Sequence, residues 1–233
     1  MRLNGLTLTP LMAAAALAVV STSPAKPTMK ASVAPDEGTR SAPAVPAAPM
    51  AAVAEIGADA PDFALKDTDG KEHRLSDLVT QGKTVVLEWF NPDCPFVRKH
   101  HEKNHDMVQT YESFRDKNVV WLAVNSAAPG KQGFGADRNK TARQQYGMEY
   151  PVLLDEKGEV GRLYGAKTTP HMFVISKGKL VYEGAIDDNP SPGTLGKTNY
   201  VAKALDAVLT GKSVEVAETK SYGCSVKYGA ATP

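Results

Sequence analysis

The sequence predicts an α/β protein, a three-layer sandwich in which a central mixed β-sheet lies between layers of helices. Three observations predict this class. Apolar runs of strand length alternate with helical segments through most of the chain. One of these runs, 84–90, leads through a short polar turn directly into a helix. A tight turn at Lys177 and Gly178 then joins two later runs as an antiparallel pair, which makes the sheet mixed.

The first part of the domain is predicted from turns and short apolar runs. An N-terminal β extension is expected over 60–71, where a D-x-D-G turn separates two short strands. A brief helix follows at 75–78 and the first buried strand at 84–90. We expect a helix from Cys94 to about Lys117, and then a second buried strand at 118–125, which is again apolar and β-branched.

The second part continues the alternation. A polar helix at 136–146 ends at Gly147, a residue type that favours helix C-termini. Strands are predicted at 151–155, 171–175 and 179–184, with a short helix at 159–164. The last helix is expected at 194–210, where apolar residues recur on one face. A C-terminal tail follows this helix, and the small residues around Cys224 favour a mobile segment.

The 233-residue chain divides into four predicted parts. Residues 1–25 carry a basic residue, an apolar core and then small residues, which is typical of a secretory signal peptide and too short for a stable membrane span. Residues 26–54 are rich in Ala and Pro and predict a disordered linker. The domain occupies 55–211 and the tail 212–233. We therefore expect an exported protein, in a bacterial periplasm or outside the cell.

Cys94 is the principal candidate for chemistry. It stands where a buried strand turns into a helix, with Pro95 suited to the first helical turn. Backbone N–H groups and the positive end of the helix dipole favour a thiolate there. Arg98, four residues on, is expected to add to this effect, whereas Asp93 opposes it. The setting favours a reactive thiol over a buried structural one.

Two motifs resemble the thioredoxin superfamily. They are the strand that ends in N-P-D-C-P-F-V, with Cys94 at the first cysteine of C-x-x-C, and the later segment T-T-P-H-M-F-V-I. Val97 occupies the place of the second cysteine. Together with Y-G-C-S-V-K-Y near the C-terminus, the first motif resembles a peroxiredoxin-like branch, grouped with alkyl hydroperoxide reductase and thiol-specific antioxidant proteins. The resemblance covers about 60–228 and implies a thioredoxin-like fold.

The resemblance also implies roles for individual residues. A cis bond between Thr169 and Pro170 would place the Thr169 backbone beside Cys94, free to pair with an incoming substrate chain. In a peroxidatic cycle, Cys94 would be oxidised by a peroxide and resolved by Cys224 into a disulfide, which an external thioredoxin-like dithiol would reduce. Cys224 could equally be a free tail thiol or a permanent staple. Trp89 before the site is explained equally by contact with substrate or by core packing.

One departure from the resemblance leaves the reaction open. True peroxiredoxins carry P-x-x-x-T-x-x-C, and here Leu87 and Asn91 stand at the Pro and Thr positions. Asn91 could still donate a hydrogen bond, but the hydroxyl that organises a peroxide is absent. A thiol-disulfide oxidoreductase that acts on disulfides therefore remains as plausible as an antioxidant that acts on peroxides.

Two further classes of function remain open. His101 and His105 have the i, i+4 spacing of a metal pair, so with His100 and Cys94 they could bind copper or zinc in an exported metallochaperone. The alternative is that these histidines lie on a solvated helix face and bind no metal, since charged and polar residues surround them. A non-catalytic binding module with this fold is the third option. The net charge of +1 gives no indication of nucleic-acid binding. No cofactor or metal is expected, and the sequence leaves the oligomeric state open.

Overall fold

The computed structural model describes residues 53–230, so the predicted signal peptide and most of the predicted linker lie outside the described residues. Ala54 is already buried, and its N–H donates to the carbonyl oxygen of Leu163 at 2.9 Å. Packing therefore begins at or before the end of the predicted linker. Among the residues that the structure describes, no helix is long and apolar enough to cross a membrane.

The domain has nine strands and six α-helices within the described residues. In chain order they are β1 (Ala64–Lys66), β2 (Glu72–Arg74), α1 (Leu75–Thr80), β3 (Thr84–Trp89), α2 (Pro95–Arg98), α3 (Asp106–Phe114), β4 (Val119–Asn125), α4 (Ala136–Gln145), β5 (Val152–Leu154), α5 (Glu159–Leu163), β6 (Thr168–Thr169), β7 (Met172–Ser176), β8 (Lys179–Gly184), α6 (Tyr200–Leu209) and β9 (Cys224–Ser225). The predicted alternation of strands and helices is confirmed.

The central sheet has the strand order β5-β4-β3-β7-β8. Strands β3, β4 and β5 run parallel, whereas β7 and β8 pair antiparallel, so the sheet is mixed as expected. β3 is central and buried at every position. Its carboxyl end therefore leads the chain to the Cys94 turn from the buried centre of the sheet.

Side chains of β3 alternate between two cores, as the pleat of a strand requires. Val85, Leu87 and Trp89 pack with α1 and α5 on one face. Val86 and Phe90 pack with α2, α3 and α6 on the other face, where Cys94 also lies. The sheet is thus covered on both sides, which is the predicted three-layer arrangement.

The predicted single helix from Cys94 to about Lys117 is wrong in its middle. α2 continues into a π-helical turn at Lys99–Lys103, and the helical path then breaks at His105, whose φ is +57°. The wider π-turn rotates successive side chains less far apart than an α-helix does. Lys99, His100 and His101 are all fully buried as a result.

The predicted helix at 194–210 begins six residues late, at Tyr200. Asp188 explains the delay, because its carboxylate accepts the N–H groups of Lys197 and Thr198 and holds a loop there. Asn199 then caps the helix by accepting the N–H of Ala202 at 2.9 Å. Side chains that bond nearby backbone groups compete with helix formation in this way.

The C-terminal tail forms an extended strap across the domain, whereas the sequence suggested a mobile segment. Glu183 in β8 pairs with the strap through the N–H of Thr219 and the carbonyl of Ala217. Further on, β9 pairs antiparallel with β6. The strap passes so close to Gly184 that a Cβ there would lie 2.2 Å from the Thr219 hydroxyl oxygen. Glycine at this crossing lets the strap lie flat on the sheet edge.

Candidate active site at Cys94 and Cys224

Cys94 caps the helix that follows the central strand, as predicted. Its backbone is extended, its N–H donates to the carbonyl of Asn91 at 3.1 Å, and its own carbonyl accepts the N–H of Arg98 at 2.9 Å. Pro95 occupies the first helical position, where a missing N–H has no consequence. The thiol is fully buried, and it donates to the carbonyl oxygen of Thr169 at 3.0 Å.

Arg98 does not serve Cys94 in the way that the sequence suggested. Its guanidinium forms a half-exposed ion pair with Glu102, with Nε 2.5 Å from Oε2. This hydrogen bond and the Glu102 charge raise the pKa of Arg98. Asp93 in turn is paired with Arg138, whose Nε donates to Oδ1 at 3.0 Å. Both charges that flank the thiol in sequence are thus engaged with other partners.

Asn91 shapes the turn that carries Cys94. Its Oδ1 accepts the N–H of Asp93 at 2.9 Å, and its Nδ2 donates to the carbonyl of Gln132 at 3.1 Å. Its side chain is almost fully buried against Gly133, where a Cβ would lie 2.3 Å from Oδ1. The amide therefore joins the Cys94 turn to the neighbouring loop, and both of its polar atoms are already hydrogen-bonded.

Trp89 belongs to the core on the opposite face of the sheet. It is fully buried and contacts the rings of Tyr164 and Phe173 at 5.7 and 5.1 Å. Its Nε1 donates to the hydroxyl of Ser126 at 3.0 Å. Of the two explanations that the sequence left open, core packing is the one that the geometry supports.

The bond between Thr169 and Pro170 is cis, as the resemblance implied. The following residue, His171, is buried, and burial together with the nearby Lys167 lowers its pKa to about 4. Its neutral Nδ1 accepts the N–H of Lys167 at 3.3 Å. The loop that presents Thr169 is therefore held by a neutral imidazole at physiological pH.

The Thr169 backbone is not free for an incoming chain, contrary to the expectation. Strand β9 of the protein's own tail pairs with it, with Cys224 opposite Thr169 and Ser225 opposite Thr168. The N–H of Val226 continues this pairing to the carbonyl of Lys167 at 3.1 Å. The tail thus occupies the strand edge beside Cys94.

This pairing brings the two cysteines together across 130 residues of sequence. Cys224 lies opposite Thr169, whose carbonyl oxygen accepts the Cys94 thiol at 3.0 Å, and both cysteines are free of any disulfide in this structure. Burial, followed by the contact with Cys94, raises the pKa of Cys224 to about 12. Cys224 therefore remains a neutral thiol near neutral pH. It is only partly buried, whereas Cys94 is fully covered.

The histidines do not converge on a metal. His100 contacts Tyr222 and Asp106, His101 contacts Glu88, and His105 lies at the break before α3. Within residues 53–230, no group of three or more His, Cys, Asp or Glu side chains is placed to hold a metal ion. The predicted solvated face is also wrong for His100 and His101, because the π-turn buries both.

Sequence reasoning missed several polar residues around the helical segment that follows Cys94, namely the buried Glu88, Lys99 and Asp187 and the partly buried Tyr222. Glu88 could have been noticed, since it is the one charged residue in the apolar run V-V-L-E-W-F. Tyr222 lies two residues before Cys224, inside a motif that the sequence had singled out. Lys99 and Asp187 gave no local signal, because they are 88 residues apart and meet only in the fold.

Gly223 offers a direct test of the tail's placement. Its φ is +136°, and a Cβ there would lie 2.2 Å from the carbonyl oxygen of Thr169. We expect Gly223→Ala to separate β9 from β6, because the alanine side chain would add strain of about 1–3 kcal/mol to the state in which the two strands are paired. Alkylation of Cys94 by iodoacetamide, followed by mass spectrometry, should become at least about tenfold faster.

The matched control for this change is Gly211→Ala, at the residue that directly precedes the tail. Gly211 also has a positive φ, +75°, but a Cβ there would meet nothing within 4 Å. Its alkylation rate should stay close to that of the unchanged protein. Equal rates for Cys94 in both variants would show that the contact at Gly223 does not hold the tail in place.

Comparisons with known proteins identify the family of this chain. The AhpC/TSA family matches residues 56–183. The thiol-disulfide oxidoreductase ResA of Geobacillus thermodenitrificans is 32% identical over 123 residues, which are 52% of this chain and 64% of that protein. The chain therefore spans less than two thirds of that relative's length.

Solved structures show the same fold. An uncharacterized conserved protein from Geobacillus kaustophilus has a TM-score of 0.70 at 30% identity, covering 76% of this chain and 94% of its own. A putative thiol:disulfide interchange protein DsbE from Chlorobium tepidum has a TM-score of 0.50 at 26% identity, covering 68% and 97%. The thioredoxin-like α/β fold expected from the sequence is confirmed.

Proposed function

Because this chain belongs to the AhpC/TSA family, we propose that it is a thiol-disulfide oxidoreductase whose redox pair is Cys94 and Cys224. The observation that carries the proposal is the pairing of β9 with β6, which places Cys224 opposite Thr169, the residue whose carbonyl oxygen accepts the Cys94 thiol. The relatives named for thiol-disulfide chemistry support the reaction class.

Cys94 is the nucleophile in this proposal. Cys94 stands at the N-cap of α2, whereas the raised pKa of Cys224 leaves that thiol protonated and a weak attacking group near neutral pH. The Cys94 thiolate attacks one sulfur of a substrate disulfide, forms a mixed disulfide and releases one substrate thiol. Cys224 then attacks the Cys94 sulfur, releases the second substrate thiol and leaves a Cys94–Cys224 disulfide.

The cycle closes when an external dithiol reduces this disulfide and is itself oxidised. In all, one substrate disulfide becomes two thiols and one dithiol becomes a disulfide. The partly exposed Cys224 is the sulfur that such a reductant can reach first, since Cys94 is fully covered. We also propose an exported location, which the composition of residues 1–25 supports.

A peroxide is the second candidate oxidant. The buried Cys94 favours it, because a small molecule reaches a covered thiol more readily than a folded protein does. The peroxide would convert Cys94 to a sulfenic acid and release water, and Cys224 would then displace a second water to give the same disulfide. The side chain of Asn91, held in the loop, gives the peroxide no hydroxyl.

The test is thiol mapping of the reduced full-length protein, before and after one equivalent of oxidised glutathione or of hydrogen peroxide. We expect the protein to lose two hydrogens and to yield a peptide pair joined through Cys94 and Cys224. In Cys224→Ser, oxidised glutathione should instead leave a stable glutathione adduct on Cys94. The relative rates with the two oxidants identify the preferred substrate class.

An outcome in which neither thiol reacts with either oxidant would overturn the enzyme proposal. A stable glutathione adduct on Cys94 in the unchanged protein, without an internal disulfide, would overturn the assignment of Cys224. Reaction with peroxide alone would make the protein a peroxidase.

A further inference from the structure

A buried polar cluster lies beside the thiols and takes no part in the exchange described above. Lys99 is fully buried, and its Nζ lies 3.4 Å from both carboxylate oxygens of Asp187. The same Nζ donates to the carbonyl of Asn189 at 2.6 Å. His100, also fully buried, has its Nδ1 2.8 Å from Asp106. Charged and polar side chains therefore fill a buried region that apolar side chains could have occupied.

The hydroxyl of Tyr222 is the centre of this cluster. It donates to Asp187, accepts from the Lys99 Nζ at 3.2 Å and lies 3.0 Å from the His100 Nε2. The Lys99 ammonium also lies 4.9 Å from the centre of the Tyr222 ring. Burial and the Asp187 carboxylate raise the pKa of Tyr222, so the group that these partners hold is a neutral hydroxyl.

The cluster joins the two segments that carry the cysteines. Lys99 and His100 follow Cys94 by five and six residues on one continuous helical segment. Tyr222 precedes Cys224 by two residues in the strap. Any displacement of Tyr222 from its partners would therefore move the Cys224 thiol relative to Cys94.

The ionic character of the cluster points to a role in positioning. Burying an ammonium group costs several kcal/mol before its partners compensate, and apolar side chains often stabilise a buried site as well. A cluster of charged and polar groups keeps its hydrogen bonds in only a few relative positions. Apolar side chains, by contrast, can slide past one another with little loss of contact. The burial of Lys99 and His100 also depends on the π-turn, a feature found frequently at functional sites.

We propose that Tyr222 is a positioning residue that sets Cys224 against Cys94, and that Lys99, Asp187 and His100 hold it there. This inference rests on the proposed redox pair. Positioning raises the effective concentration of the Cys224 thiol at Cys94 and so favours the internal disulfide over a mixed one. In the equilibrium concerned, two protein thiols and oxidised glutathione give the Cys94–Cys224 disulfide and two molecules of reduced glutathione.

The experiment measures this equilibrium in glutathione redox buffers for the unchanged protein, Tyr222→Phe and Tyr164→Phe. Loss of the Tyr222 hydroxyl should lower the equilibrium constant for the internal disulfide by about tenfold. Tyr164 is the matched control, since it is fully buried, lies in the opposite core and donates to the carbonyl of Pro61 at 2.7 Å. Tyr164→Phe should lower the unfolding temperature and leave the redox equilibrium unchanged.

The outcomes separate the two proposals. If the unchanged protein forms no Cys94–Cys224 disulfide in any buffer, the redox pair itself is wrong. If that disulfide forms but Tyr222→Phe shifts the equilibrium no more than Tyr164→Phe does, the positioning role is wrong and Tyr222 serves stability alone. A shift in Tyr222→Phe only, at equal thermal stability of the two variants, supports the inference.

Discussion

Replacing Cys94 by serine is expected to abolish catalysed disulfide exchange. A hydroxyl cannot form a disulfide, so the first covalent step of the proposed cycle is lost. Turnover with a model disulfide and excess dithiol should fall at least about a hundredfold, to the rate of the dithiol alone. The measurement is the initial rate of thiol release, compared with that of the unchanged protein.

Cys224→Ser provides the control for this loss. Its Cys94 can still attack the substrate, so a single turnover should release one equivalent of thiol and then stop at a mixed disulfide. This burst distinguishes the attacking cysteine from the resolving one. A burst in Cys94→Ser and none in Cys224→Ser would reverse the two roles.

We expect the tail to restrict which oxidants can reach the Cys94 thiol. Cys94 is fully buried, and strand β9 pairs with β6 beside it. The Cys94 thiol donates a hydrogen bond to the carbonyl oxygen of Thr169 in β6 at 3.0 Å. A small oxidant needs only a local opening at the thiol, whereas a folded protein disulfide requires β9 to separate from β6. We therefore expect tail opening to decide which class of substrate reaches Cys94, and Gly223→Ala probes that opening directly.

The parts of the fold that repeat a local pattern could be predicted from the sequence. Each buried strand was visible as an apolar run, and the position of Cys94 at the helix start followed from the turn N-P-D and from Pro95. The cis bond at Pro170 followed from the resemblance. These features depend on neighbouring residues, which a sequence displays directly.

The features that depend on distant contacts could not be predicted. The run K-H-H-E-K has the composition of a solvated helix face, yet Lys99, His100 and His101 are fully buried. Their burial needs Asp187, Tyr222 and Glu88 as partners, which come from three other segments. The tail was likewise expected to be mobile because it is rich in small residues. One of them, Gly223, instead lets the backbone pass close to Thr169, and this contact is visible only in the fold.

Glu88→Leu is expected to destabilise the domain by about 3–5 kcal/mol, although leucine fits the apolar run better. Glu88 is fully buried in β3, with Oε1 2.6 Å from the His101 Nε2. Its Oε2 accepts from the Trp121 indole and the Tyr150 hydroxyl, each at 3.2 Å. Leucine would leave all three buried groups without their acceptor, and each unsatisfied group costs about 1–3 kcal/mol. Urea titrations measure this loss as a decrease in the free energy of unfolding, provided that this free energy depends equally steeply on urea concentration in both proteins.

Two further variants test the reason for this loss. Glu88→Gln keeps one carbonyl oxygen for Trp121 and Tyr150, so its unfolding free energy should lie between those of the unchanged protein and the leucine variant. Combining Glu88→Leu with His101→Leu removes the largest unpaired group and should recover part of the stability. If the single leucine variant is as stable as the unchanged protein, the carboxylate contributes nothing to folding. Its burial beneath the Cys94 helix would then need a functional explanation.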